Sequence, residues 1–363
     1  MATDDPLLGH GRQVIVREDW LRLVEEPILE PELPIVDPHH HLWQRAQDTY
    51  LLPELLADTA SGHDIRATIF VQCGEMYRAR GPADEQSLGE TEFVTGIAAA
   101  SASGRHGPTR ACAGIIGMVD LTAGDRVDPL LDRHIATAGG RFCGVRNRTA
   151  WHPSPEVTSN LVSPPPGPLE HPAFHDGARR LAAKGLPLDV WGYHTQLPHV
   201  LALARAVPEL TVVIDHVGGP LGIGPFAGKR AEVFPGWTQR MQALAKMPNT
   251  VVKLGGLAMY VIGFDFHRQP KPPGSEALAQ AWKPYIETCI EAFGPDRCMF
   301  ESNFPVDKGM CSYAVLWNAL KRLAAGAGQD EKTALFSGTA MRVYGLDRLP
   351  EALKVDLRAT AAA

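Results

Sequence analysis

Short β-branched runs alternate with longer stretches of helical periodicity along most of the chain, and this rhythm predicts βα units on a parallel sheet. The expected strands are 33–41 (LPIVDPHHH), 67–73 (ATIFVQC), 111–119 (ACAGIIGMV) and 142–147 (FCGVRN). They continue with 186–193 (LPLDVWGY), 210–216 (LTVVIDH), 250–255 (TVVKLG) and 297–302 (RCMFES). Helical patterns fall at 90–103, 129–137, 172–184, 197–207, 235–246 and 276–293, with two more at 313–324 and 331–344. Strands and helices alternating over this span suit a single (β/α)8 TIM barrel. A doubly wound sheet would place a glycine-rich turn after its first strand; here that strand ends in three histidines. The barrel is expected over 33–346, with 1–32 as an N-terminal extension packed on it and 347–363 as a C-terminal tail.

The long connections fall in one class. Segments 76–89, 149–169, 218–234 and 260–275 all follow strands, so they belong at the C-terminal mouth where barrels carry their sites. Their proline content predicts ordered lids rather than loose linkers.

Composition changes this picture little. Of 363 residues, 45% are hydrophobic and 21% charged, which is ordinary for a globular chain with a large core. The net charge of −6, with no Lys/Arg stripe, argues against nucleic acid as a partner. The six cysteines form no C-x-x-C pair and read as reduced, buried thiols of a cytoplasmic protein. The acidic start lacks a signal-peptide pattern, and no apolar run is long enough for a membrane span.

Candidate chemistry gathers at the strand ends. His39 and His41 are two apart on a strand, so both imidazoles face one side, where they can hold a metal or polarise a carbonyl. His216 ends the sixth strand just before two glycines. Arg146 ends the fourth strand and suits capture of a carboxylate, or a structural ion pair. His194 follows the fifth strand as a ligand, a substrate contact or a helix cap. Trp151, Trp191 and Tyr193 stack a ring substrate or simply pack. Lys253, if inward, is a buried cation that needs an anion. Glu301, Asn303 and Asp307 lie near the end of the last strand, and the first two share a strand face.

In this order, VDPHHHLW, FVQC with GETEF, GVRN, TVVIDHVGGP, VVKLGGL and RCMFESNFPVD resemble the amidohydrolase superfamily. The likeness is to its amidohydrolase-related TIM-barrel hydrolases, including 2-pyrone-4,6-dicarboxylate lactonase and the sugar-acid lactonases. The resemblance implies that His39, His41 and His216 are the site histidines and that Arg146 binds a substrate carboxylate. It places Asn303 where the family usually has an aspartate that accepts a proton from water. An amide has no titratable group for that task. Asp307 is then the preferred base, with Glu301 or a histidine as alternatives, and Asn303 becomes a donor to a developing oxyanion. The cofactor implied is one divalent metal, zinc or similar, on His39, His41 and His216, or none. The expected activity is hydrolysis of a small carboxylated lactone. The rivals are a nonoxidative decarboxylase of aromatic acids and a non-catalytic binding protein. The partner is a small molecule, with assembly into a homo-oligomer left open.

Overall fold

The computed structural model describes residues 5–45, 48–159 and 163–357. Eight strands run in chain order around one sheet: β1 (Ile35–His40), β2 (Ile65–Val71), β3 (Arg110–Gly117), β4 (Phe142–Arg148), β5 (Leu188–Trp191), β6 (Val212–Ile214), β7 (Thr250–Leu254) and β8 (Cys298–Phe300). Each neighbouring pair is parallel. The chain beyond β8 closes the ring on β1. Asn303 N–H donates to His39 O at 2.9 Å, and His41 N–H donates to Phe304 O at 2.7 Å. The fold is the (β/α)8 barrel that the alternation predicts.

One helix follows each strand: α1 (Leu52–Thr59), α2 (Leu88–Ala102), α3 (Val127–Thr137), α4 (Pro172–Ala183), α5 (Leu197–Ala206), α6 (Arg230–Ala245), α7 (Ser275–Phe293) and α8 (Tyr313–Leu323). Two features differ from the pattern reading. Helix α1 has only eight residues, too few to show a period, and it starts where Glu54 accepts the Leu51 N–H at 2.9 Å. Helix α6 begins at Arg230 rather than at Pro235, because a proline this near the N-terminus removes few hydrogen bonds. A short antiparallel pair, Trp43–Arg45 with Asp48–Tyr50, also follows β1.

Alternation along the strands sorts the barrel interior into two zones. Val36, Ile69, Ile116, Val213, Val251 and Met299 form a buried apolar cluster. The chain after α8 seals that end: helical turns over Gln329–Thr333, Ala334–Gly338 and Thr339–Val343 lead into Tyr344, Leu346 and Val355, which join the same cluster. Full burial of each such side chain contributes roughly 1.5–3 kcal/mol. Two residues further along their strands, Asp215, Lys253 and Glu301 are also wholly buried. The N-terminal segment is tied to the outside of the barrel. Lys321 Nζ donates to Leu29 O and Glu30 O at 2.8 Å each, and Asn318 Nδ2 donates to Pro27 O at 3.0 Å. Among the described residues no helix is long and apolar enough to cross a membrane. All six cysteines are free thiols.

Candidate active site

The first strand sends alternate histidines to opposite sides. His39 and His41 meet inside with ring centroids 5.0 Å apart, while His40 points away and pairs with Thr68 Oγ1 at 2.8 Å. His41 Nδ1 lies 2.8 Å from Val71 O. A carbonyl only accepts, so the proton sits on Nδ1 and Nε2 is left with its lone pair. His216 joins them, its ring 4.5 Å from His39 and 4.8 Å from Trp191. It takes a left-handed backbone (φ 55°) at the strand end. Gly256 makes room for it, since an added Cβ there would lie 2.5 Å from His216 Cβ and Cγ.

An ionic layer supports these rings. Glu301 Oε1 accepts from His216 N–H at 3.2 Å and pairs with His216 Nδ1 at 2.7 Å. Lys253 does point inward: Nζ donates to Asp189 Oδ2 at 2.6 Å and lies 3.6 Å from Asp215 and 3.3 Å from His39 Nδ1. Tyr344, from the sealed end, donates to Asp189 Oδ2 at 2.9 Å. Arg146 Nη1 donates to His39 Nε2 at 3.2 Å and lies 3.6 Å from Asp215 Oδ2; Nη2 donates to Gln72 O.

Burial dominates the protonation of this layer. It drives His39 and His41 well below the ordinary histidine range, helped by Lys253 at His39 and by Arg146 at His41. It lowers His216 to about 3. The imidazoles are therefore neutral near pH 7. Burial pushes Glu301 well above the usual carboxylate range and raises Asp215, with Lys253 opposing both. Lys253 itself is held up, because Asp189, Asp215 and Glu301 outweigh the desolvation that would lower it.

Two cations, Lys253 and Arg146, thus face three carboxylates, Asp189, Asp215 and Glu301. Glu301 Oε2 lies 2.9 Å from His39 Nδ1, and both oxygens of Asp215 are buried without a hydrogen bond among the described residues, 3.6 Å from Arg146 and Lys253. Ligand atoms of His39, His216 and Glu301 all lie within 4.8 Å of one another, the one such group among the described residues. Two imidazoles and a carboxyl group brought together in a buried N/N/O donor set fit a divalent cation of the zinc kind. His41, expected as a ligand, lies outside this set and keeps Nε2 free.

Above the layer is a cavity of about 80 Å³. His41, Arg146, His216 and Asn303 line it together, with Gln72 and Trp191. Asn303 departs from the expected strand face because it too is left-handed (φ 55°), a conformation asparagine tolerates. Its Nδ2 donates to Asp307 Oδ1 at 2.8 Å, and its Oδ1 is buried without a partner. One of the two Nδ2 protons is therefore committed to Asp307, the second is left for an oxyanion, and Oδ1 offers an acceptor. Asp307 lies behind Asn303 and outside the cavity lining, its second oxygen accepting from Ala258 N–H at 3.1 Å. Burial holds its carboxyl well above the usual range. Asp307, expected as the base, is thus bonded to the Asn303 amide and does not line the cavity.

The other candidates scatter. His194 Nδ1 accepts from Leu221 N–H at 3.2 Å, and its ring meets Phe226, so it joins two loops. Tyr193 stands behind Trp191, its hydroxyl 2.9 Å from Ser159 Oγ. Trp151 lines a separate cleft with His152, Glu170 and His199. The sequence reading passed over Asp189, Asp215 and Gln72, although an acid inside LPLDVW or TVVIDH is a visible signal for an inward charge.

Comparison with known proteins gives a consistent result. The model of the family described as Amidohydrolase matches residues 36–346. An uncharacterized protein of Sinorhizobium fredii is 31% identical over 335 residues, covering 86% of this chain and 99% of its own. An L-fucono-1,5-lactonase of Burkholderia multivorans is 26% identical over 325 residues, covering 86% of this chain and 96% of its own. Among solved structures, a zinc-bound amidohydrolase from Burkholderia multivorans superposes with a TM-score of 0.65 at 25% identity, over 87% of this chain and 99% of that one.

Proposed function

The chain belongs to the amidohydrolase family of hydrolases, and on that premise we propose that it opens a small carboxylated lactone by adding water to the ester carbonyl. The observation that carries this reading is the cavity itself, where the neutral His41 with a free Nε2 stands beside the cationic Arg146. Relatives named as lactonases match over most of the chain and support the ester class.

In this scheme His41 Nε2 takes a proton from water, while its Nδ1–H stays fixed on Val71 O. That anchor favours the imidazolium that forms, as a carbonyl acceptor does in other base-orienter pairs. Arg146 faces the negative charge that develops on the carbonyl oxygen. The ring C–O bond breaks, the leaving alkoxide takes the proton back from His41, and a hydroxy acid is released. A divalent cation held by His39, His216 and Glu301 would add Lewis-acid polarisation of the carbonyl.

The test is a panel of carboxylated lactones and hydroxy-acid esters, followed by proton release and by uptake of one labelled water oxygen. His41→Ala is expected to lower kcat/KM about 1,000-fold with the folded state retained. If nothing in the panel is opened, or if the variant keeps its activity, the reading fails. Carbon dioxide release from aromatic acids, without label uptake, would favour the decarboxylase. Metal analysis of protein purified without chelators reports on the cation.

A further inference from the structure

The segment ahead of β1 lies outside the family match, which begins at residue 36, yet it reaches the mouth of the site. Leu8 and Val14 form an antiparallel bridge, and Gly9 N–H donates to Gln13 O at 2.8 Å, so 8–14 is a closed turn with Gln13 on its returning arm. Val14 is buried against Gly309, where an added Cβ would lie 2.6 Å from Val14 Cβ. That contact fixes the turn to the loop after β8. Trp20 Nε1 donates to Gln269 O at 3.0 Å, and Arg12 donates to Glu156 O. The strap is thereby also fastened to the loops that follow β7 and β4.

Gln13 lines the same cavity as His41. Its Oε1 accepts from Arg45 Nη1 at 3.0 Å, and Arg45 Nε pairs with Glu75 Oε1 at 2.8 Å. The Arg45 guanidinium lies 3.9 Å over Trp43, and Trp43 stacks on His41 at 6.0 Å and 16°. Contacts therefore run unbroken from the strap to the imidazole. They use the Gln13 oxygen and two arms of Arg45. Among the described residues, Gln13 Nε2 and Arg45 Nη2 are left as N–H donors at the rim.

We propose that this strap is a fixed wall of the active site, and that Gln13 with Arg45 selects substrates carrying a hydrogen-bond-accepting oxygen remote from the ester. A carboxylate and a hydroxyl both offer that oxygen. The selection rests on the lactone reading; the wall does not.

The two parts are tested separately on the full chain. Cys73 lines the cavity and is the one cysteine of six that is not fully buried, so it reports on access. Alkylation by iodoacetamide, followed by peptide mass, should reach Cys73 at least about threefold faster in Gln13→Ala and in Val14→Ser, measured well below the melting temperature of each variant. An unchanged rate in both variants overturns the wall. For selection, paired lactones with and without a remote oxygen are compared. Gln13→Ala should raise KM about five- to tenfold for the oxygen-bearing member, with a smaller fall in kcat and less than half that KM change for the bare one. Gln13→Glu should penalise a remote carboxylate more than a remote hydroxyl, which separates the two sources. Equal KM changes across the pair overturn the selection. If the wild-type protein opens no lactone, the selection falls with the proposed function, and the labelling still decides the wall.

Discussion

The two halves of the barrel interior are built from the same strands and differ in everything else. At the sealed end Val213, Val251 and Met299 pack with Met341 and Tyr344 in an apolar plug. Two residues along the same strands, Asp215, Lys253 and Glu301 replace them. Both zones are buried, so the contrast is not between core and surface. Burying the apolar layer stabilises the fold directly. Burying the ionic layer costs several kcal/mol per ion before pairing offsets it. The lesson is that the plug holds the barrel together while the ionic layer draws on that stability to keep three imidazoles neutral and aimed.

The largest effect should come from removing the central cation. Lys253→Met removes the cation that pairs with Asp189 and lies 3.6 Å from Asp215, and should destabilise the protein by about 3–5 kcal/mol in urea unfolding. Adding Asp189→Leu and Tyr344→Phe, which removes the partners as well, should recover most of that loss but no activity. If Lys253→Met unfolds at the wild-type urea concentration, the ionic layer is not under the tension described. The complementary change is Met299→Ala in the plug, with an expected loss of about 2–4 kcal/mol and kcat/KM within about threefold of wild type. A fall in activity larger than that would show that the two zones are not separable.

A smaller effect extends the contrast beyond the barrel interior. His63, His134 and His194 are each lowered to about 4, chiefly by burial. In the unfolded chain a histidine takes its proton near 6.5, so from pH 6.5 down to 4 the unfolded state binds more protons and stability falls. Each should cost on the order of 1–2 kcal/mol between pH 7 and pH 5. Melting curves across that range should show the decline, and His134→Asn, between Ser87 and Thr91, should flatten it. A slope unaltered by His134→Asn would remove His134 from this account.

Most of the fold was legible because β-branched runs and helical periods are local. Each observed barrel strand overlaps its expected segment, whereas α1 was missed for want of length. The site was legible where strand parity decides it: His39 and His41, two apart at the end of β1, meet inside, whereas the sequence left the direction of Lys253 open and the structure turns it inward. It was illegible where the answer depends on a partner distant in sequence. The preference for Asp307 as base takes no account of Asn303 Nδ2 and Ala258 N–H, which occupy its two oxygens in the fold. Gln13 and Arg45 share no period and no motif; the strap's fastening to distant loops brings them together.

The hydrogen bond from Tyr344 to Asp189 spans 155 residues and sets a schedule for biosynthesis. At ribosomal rates of roughly 5–20 residues per second, the acid is made about 8–30 seconds before its phenol. Lys253 and β8 are made within that interval, so only its last part, after Phe300, has all eight strands without Tyr344 beneath the Asp189–Lys253 pair. Only fragments that end between Asp307 and Tyr344 would hold every side chain named in the site yet lack the phenol that closes on Asp189, so the last stretch of the chain completes the floor of the site.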